Sequence, residues 1–503
     1  MIEPLQQVRY EFVRYTRGHG LDVGHCAGKA FPHFAAVRLA DDPECAEANV
    51  REIVTVDLGR LPEVEDASCD FIVAADALRS SEVGIKEWLR CIKVGGHLCI
   101  FEPDRERYGK DPLVALTRAA ATSYGLDVVR FEEWEPGGTF LVLRRTEAGF
   151  ACSYEQPRPE KTCCVVRHGG FGDQIQASAL FPELKRQGYH LTVLTTETGQ
   201  SIIRHDPHVD EWFLVDRNQV PNAELAWFWR VTAKHYHKFI NLNESVEGTF
   251  LAMPGRVQHG WPHALRHRLL NQNYAEHAAA IAEIPFRAEG KFYPTKEERS
   301  RALEHVNKLR DDANAGNTIG ERDQATFNIL WVLAGSSPHK FTPHQDVVVR
   351  AVLSRLRRAT VTLVGDDACR ILEAGWEQEP RVYCRSGELP IRDTLALAQV
   401  MDLVIGPETG VMNAVAFEPM RKIVLLSHSS AENLTKHWLN TTAIAGRSAC
   451  WPCHQLHYTA EFCPQDASSG AALCQQNVSP EEIYAPIDAE YTGWARVQLL
   501  RSA

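Results

Sequence analysis

The segment Cys163-Cys164-Val165-Val166-Arg167-His168-Gly169-Gly170-Phe171-Gly172-Asp173 constrains the fold more than any other stretch of this chain. Its apolar run reads as a buried strand. The glycines permit a tight turn, and Asp173 falls at the start of a helix expected to continue through Ala177, Leu180 and Leu184. Residues 191–195 then read as a second strand. Strand, glycine-rich turn, helix and strand make a βαβ unit, which sets the turn at the carboxyl end of a parallel sheet, where ligands bind. A carboxylate on that rim, just after glycines that let a substrate come close, is a candidate general base. An Asp at a helix start is also a common cap, and the turn taken alone fits either role.

At 503 residues the chain exceeds a single core, and two to four domains are expected. Its apolar and charged fractions are those of an ordinary globular protein. A net charge of -11 disfavours a general nucleic-acid binder while leaving room for a local basic groove. No apolar stretch approaches the length of a membrane span, and the opening Met1-Ile2-Glu3-Pro4-Leu5 lacks the basic-then-apolar pattern of a secretion signal. The expected location is therefore cytoplasmic, with self-assembly left open. Fourteen cysteines in such a chain point to thiols or metal ligands rather than a disulfide framework.

Three α/β blocks of Rossmann-like character are expected, over residues 1–152, 161–311 and 326–490. In the first, strands are expected at 20–23 and 70–75 and an amphipathic helix at 83–92. There a Gly95-Gly96 turn leads into a strand at 97–101. A polar, proline-bearing linker covers 154–160, and a charged, small-residue boundary covers 311–325. The third block opens with a strand at 327–334 and has others at 360–364 and 402–405.

Two more turns in the third block carry chemistry. In Leu333-Ala334-Gly335-Ser336-Ser337-Pro338-His339-Lys340, a strand ends in a small-residue turn. Gly335, Ser336 and Ser337 can approach a phosphate there and Lys340 can place charge on it, although a lysine in a loop is more often simply solvated. In Glu408-Thr409-Gly410-Val411-Met412-Asn413, a buried strand runs into a glycine-bearing helix start, whose unpaired N–H groups favour an anion.

Over roughly 161–490 these turns resemble the motifs of the ADP-heptose:lipopolysaccharide heptosyltransferases, glycosyltransferase family 9. The resemblance implies two facing Rossmann-like domains, the GT-B arrangement, with a nucleoside-diphosphate sugar such as ADP-heptose as donor. It makes Asp173 the base for the acceptor hydroxyl. Gly172, Gly335, Ser336, Ser337, Glu408, Thr409, Gly410, Val411, Met412 and Asn413 become the donor-side residues. Lys340 and the 409–412 amides then stabilise the leaving diphosphate in a single inverting displacement. Glu408 stands where the family has Asp, and Asn413 where it has His, which bears on donor identity. No Asp-x-Asp stands where it would hold a diphosphate-bound metal, so catalysis is expected to need none. Glycan, protein and modified nucleic acid all remain open as acceptors.

Cys450, Cys453, Cys463 and Cys474 follow a C-x2-C-x9-C-x10-C spacing, with His454 and His457 nearby. A C-x-x-C knuckle plus two later thiolates suits a closed, structural S4 site for Zn²⁺ or iron, while the same residues also fit unrelated buried thiols. Some protein-modifying heptosyltransferases carry a comparable four-cysteine iron finger. Near the amino terminus, Asp22-Val23-Gly24-His25-Cys26-Ala27-Gly28 resembles the glycine-rich loop of class I S-adenosylmethionine methyltransferases. Cys26 occupies a position where a side chain crowds the cofactor. The acid that should hold the ribose is absent after the second strand, with Asp41 and Asp42 coming only later. The domain is expected to be degenerate and S-adenosylmethionine not to be a cofactor. A non-catalytic nucleotide- or sugar-binding scaffold, and a methyltransferase with an accessory second half, are the competing functional classes.

Overall fold

Apolar runs supply the strands of three sheets. The computed structural model describes residues 4–24, 33–39, 53–55, 60–75, 87–102, 126–133, 139–146, 159–217, 219–244, 260–315, 325–335, 340–454, 456 and 463–502. The chain divides into two compact units, Met1–Thr162 with Phe213–Lys238, and Cys163–Trp212 with Phe239–Ala503.

The first unit is built on β1 (Gly20–Gly24), β2 (Ala35–Leu39), β3 (Ile53–Thr55), β4 (Cys69–Ala75), β5 (Ile92–Glu102), β6 (Leu126–Glu133) and β7 (Thr139–Arg145). Their order is β3-β2-β1-β4-β5-β7-β6. β7 runs antiparallel to both its neighbours and the remaining pairs are parallel. The order reverses between β1 and β4, so a ligand crevice is expected at their carboxyl ends. The turn residues Cys26 and Gly28 that would line it lie outside the described residues, as do Asp41 and Asp42. Gly95-Gly96 does not separate two elements. It lies within β5, at a break in register where Cys69 pairs with Ile92 but Phe71 pairs with His97. Of the helix expected at 83–92, only the turn at 87–91 is among the described residues. The segment Phe213–Lys238 belongs to this unit because its side chains hold the amino-terminal helix Pro4–Glu11 and the turn after it. Arg9 pairs with Glu224, Glu11 with His235 and Arg17 with Asp216, while Gln219 Nε2 donates to the carbonyls of Val13 and Thr16.

The second unit has two lobes. β8 (Thr162–Val166), β9 (His190–Thr195), β10 (Glu211–Leu214) and β11 (Lys238–Asn241) form a sheet of order β10-β9-β8-β11. The other sheet comprises β12 (Phe327–Val332), β13 (Ala359–Val364), β14 (Val382–Cys384), β15 (Leu403–Pro407), β16 (Arg421–Leu425) and β17 (Thr441–Ile444). It is parallel throughout, in the order β14-β13-β12-β15-β16-β17. Each order reverses once, at β8/β11 and at β12/β15, and in open α/β sheets such reversals are where ligand crevices are expected. The blocks expected at 161–311 and 326–490 correspond to the two lobes of this one compact unit. Residues of both lobes, among them Val165, Leu180, Ile240, Leu330, Val404 and Met412, share one continuous buried cluster.

Two local expectations are also revised. The helix after the glycine turn spans Phe171–Ser178 and a second helix spans Phe181–Arg186. Pro182 explains the break, since it lacks an N–H and restricts the residue before it. The last helix, Pro480–Ser502, runs past residue 490 and buries Ile483, Tyr484 and Ile487 against the second sheet.

Candidate active site

At the first reversal, residues just beyond β8 and β11 bridge the gap between the two strands. Arg167 donates from Nη1 to the Leu242 carbonyl at 2.9 Å and from Nη2 to Asp173 Oδ1. The His168 N–H donates to Asn243 Oδ1 at 2.7 Å. Burial pushes the His168 imidazole down to about 4, so it is neutral at physiological pH. Asp173 is the third residue of its helix, and its Oδ2 accepts from the Gly170 N–H at 2.6 Å. The side chain is 26% exposed and lies on the rim. Gly169 has φ +119, and a Cβ there would lie 2.4 Å from Asp173 Oδ2, so glycine is required on both counts. Asp173 thus fills a capping role and a rim position together. Arg167 is the partner of Asp173 that the glycine pattern does not point to, and its only sequence signal is a cation between strand and turn, six residues before the carboxylate.

At the second reversal, the turns after β12 and β15 meet. Lys340 Nζ donates to the Glu408 main-chain carbonyl at 2.8 Å. A Cβ on Gly335 would lie 2.8 Å from Lys340 Cδ and 3.2 Å from Thr409 Cγ2, so the glycine lets the lysine stem cross beside Thr409. Ser336 and Ser337 lie outside the described residues. Thr409 caps the short helix Gly410–Ala414 by accepting the Met412 N–H, which takes one of the expected amides. Gly410 and Val411 are its first two residues, whose N–H groups have no acceptor within a helix. The side chains of Val411 and Met412 are buried in the core.

Glu408, expected as a sugar contact, is bonded on its carboxylate side to loop 427–429. Its carboxylate is turned into the protein, where the side chain is 5% exposed. Oε1 accepts the N–H groups of Ser427, His428 and Ser429 at 2.9, 3.2 and 2.9 Å, and Oε2 accepts the Ser427 hydroxyl. Burial pushes this carboxyl up, but His428, Lys340 and the loop donors outweigh it and hold it below the ordinary glutamate value.

The two lobes approach closely at these turns. A Cβ on Gly172 would lie 2.6 Å from Asn413 Nδ2 and 3.5 Å from Gly410 Cα, and one on Gly410 would lie 3.0 Å from Phe171 Cβ. Gly172 therefore serves helix-to-helix approach. Asn413 lies across the junction, its Oδ1 accepting from Gln176 Nε2 at 3.4 Å. Farther along, Asn273 Nδ2 donates to the carbonyls of Glu432 and Asn433, and Asn433 Nδ2 returns bonds to those of Leu270 and Gln272. The π-turn Ala431–Thr435 that carries Asn433 follows directly on the loop held by Glu408.

Cys450, Cys453, Cys463 and Cys474 line one small pocket with Ser427, His428 and Trp451. Their donor set has the chemistry of an S4 site. Among the described residues, however, no three His, Cys, Asp or Glu side chains are grouped so as to hold a metal ion. Burial pushes the Cys474 thiol up to about 12, and its Sγ donates to the Ser427 carbonyl at 3.3 Å. His454 is buried, with its N–H on the His428 carbonyl and its ring 5.0 Å from that of His267. His457 lies outside the described residues. No helix among the described residues is long and apolar enough to cross a membrane.

No family model and no curated protein matches this chain. Among solved structures it is similar to the ADP-heptose lipopolysaccharide heptosyltransferase II of E. coli. The identity is 14% over 67% of this chain and 99% of that one, with a TM-score of 0.44. It is also similar to a glycosyl transferase family 9 protein from Veillonella parvula, at 13% identity over 67% and 99%, TM-score 0.47. A third is TibC, an iron-containing dodecameric glycosyltransferase from enterotoxigenic E. coli, at 10% identity over 71% and 83%, TM-score 0.43.

Proposed function

We propose that this chain is an inverting glycosyltransferase that moves a sugar, with heptose as first candidate, from a nucleoside diphosphate to an acceptor hydroxyl. The observation that carries the reading is the approach of Gly172 to Gly410 and Asn413. It sets the turn bearing Asp173 against the turn that adjoins Lys340. Asp173 takes the proton of the acceptor hydroxyl, and the oxygen attacks the anomeric carbon. The bond to the diphosphate breaks, and its negative charge is met by Lys340 and the amides of 409–412. Fixed charges and dipoles aimed at the leaving group are expected to be a major catalytic term. Without a diphosphate-bound metal, Lys340 supplies the one localised positive charge in this scheme. Arg167 and the Gly170 N–H hold Asp173 in place, leaving the lone pairs they do not use for the substrate proton.

The four cysteines, on this reading, hold one structural Zn²⁺ or iron ion, which would tie 450–453 to 463 and 474. Four sulfur donors leave no open position for substrate. A non-catalytic binding scaffold is the second reading, favoured by the bonds that both Asp173 oxygens already accept. Turnover separates the two readings. Purified protein is incubated with ADP-heptose and other nucleoside-diphosphate sugars, and release of the free nucleoside diphosphate is followed with and without acceptor pools. Release that falls in Lys340→Ala, together with weaker diphosphate binding, supports transfer. Binding without release in any pool supports the scaffold.

A further inference from the structure

Glu408 carries two separate attachments. Its carboxylate takes three main-chain N–H groups and one hydroxyl from loop 427–429, and its own main-chain carbonyl receives Lys340 Nζ at 2.8 Å. A buried carboxylate with this many donors is rigid, and so is the peptide group it belongs to. The charged or titratable groups facing it include Lys340, His428 with Nε2 at 3.8 Å, and His454 and Cys474 from the cysteine-bearing segment. The negative charge is thus fixed within the field of the one lysine expected to meet a diphosphate, and directed away from the rim.

We infer that Glu408 is a positioning residue for Lys340, fixing the carbonyl that holds the ammonium and offsetting its charge, and not a contact for the transferred sugar. The inference rests on the donor-site reading above and deepens it. Lys340 rests on a neutral acceptor from which an incoming diphosphate displaces it. The nearby carboxylate weakens the hold of Lys340 on a bound diphosphate. Charges a few ångströms apart near a protein surface interact by several times the thermal energy, enough to alter diphosphate affinity measurably.

The test is calorimetry with ADP and with inorganic pyrophosphate on the full chain, alongside transfer kinetics. The variants are Glu408→Gln, Glu408→Ala, Lys340→Met and the Glu408→Gln/Lys340→Met pair. Gln keeps the acceptor oxygen for loop 427–429 and removes the charge. The expected result is ADP affinity on the order of tenfold tighter in Glu408→Gln, with the gain absent in the Lys340→Met background. Transfer is expected to survive in Gln and to fall in Ala. Unchanged ADP affinity in Gln, with a raised KM for the nucleotide sugar in both variants, would overturn the inference and restore Glu408 as a sugar contact while leaving the donor site intact. Wild-type protein that binds neither ADP nor pyrophosphate removes the donor site and the inference together. Should Glu408→Gln fail to fold, Ser427→Ala retains the charge and removes one anchor. It is expected to lower kcat several-fold with ADP affinity within about twofold, and an unchanged kcat contradicts the anchoring role.

Discussion

Gly410 of the second lobe faces the first so closely that a β-carbon on it would lie 3.1 Å from the Gly172 nitrogen and 3.0 Å from Phe171 Cβ. In the reverse direction, Gly172 meets the flexible side-chain amide of Asn413. The two positions therefore differ in what can yield. Gly410→Ala presses on backbone and is expected to cost about 1–3 kcal/mol of stability, as overpacking does. It should also reduce transfer more than diphosphate affinity, because the lobes are forced apart. Gly172→Ala is expected to be milder and to be relieved by Asn413→Ala, with a coupling visible in a double-mutant cycle of denaturation midpoints. Equal, additive effects of the two alanines would contradict this geometry.

Much of this arrangement was legible in the sequence, since apolar runs beside glycine turns mark strand ends. The strands observed at His190–Thr195 and Ala359–Val364 lie within a residue of expectation. The turns that carry Asp173, Lys340 and Thr409 are legible because glycines punctuate them. The direction of a side chain was not legible. Whether Glu408 faces the rim or loop 427–429 depends on donors about twenty residues later in the chain, and periodicity does not report such a partner. The reach of Phe213–Lys238 into the first unit was hidden for the same reason, because it rests on long-range pairs such as Gln219 with Val13. At Pro182 two signals compete, the helical spacing of Ala177, Leu180 and Leu184 and the proline itself, and the proline prevails.

The amino-terminal unit is expected to bind S-adenosylmethionine weakly or not at all, because Cys26 stands in the glycine-rich loop and the second strand ends in Val37-Arg38-Leu39, with Asp41 and Asp42 coming only later. Calorimetry with the full chain checks this. An affinity in the low micromolar range or tighter would return methyl transfer to consideration.

Carefully purified protein is expected to carry about one Zn or Fe per chain, by the four-thiolate donor set. Thiolates must stay deprotonated to hold a metal, so acid or a chelator should strip it. Changing Cys450 and Cys453 to Ser should then lower the thermal midpoint more than it lowers turnover per folded molecule. Elemental analysis finding no metal in unoxidised protein would leave the four cysteines as pocket-lining thiols.

Asp173→Asn tests transfer most directly. The amide keeps the size of the side chain but cannot serve Arg167 and the Gly170 N–H together as acceptor, so a stability loss of about 1 kcal/mol is expected. Folding must be verified through ADP binding. With ADP affinity within about twofold of wild type, the expected result is a loss of kcat on the order of a hundredfold or more, as removal of a general base entails. Near-normal turnover in this variant would contradict Asp173 as the base and leave it as the cap that its bonds to Gly170 and Arg167 already make it.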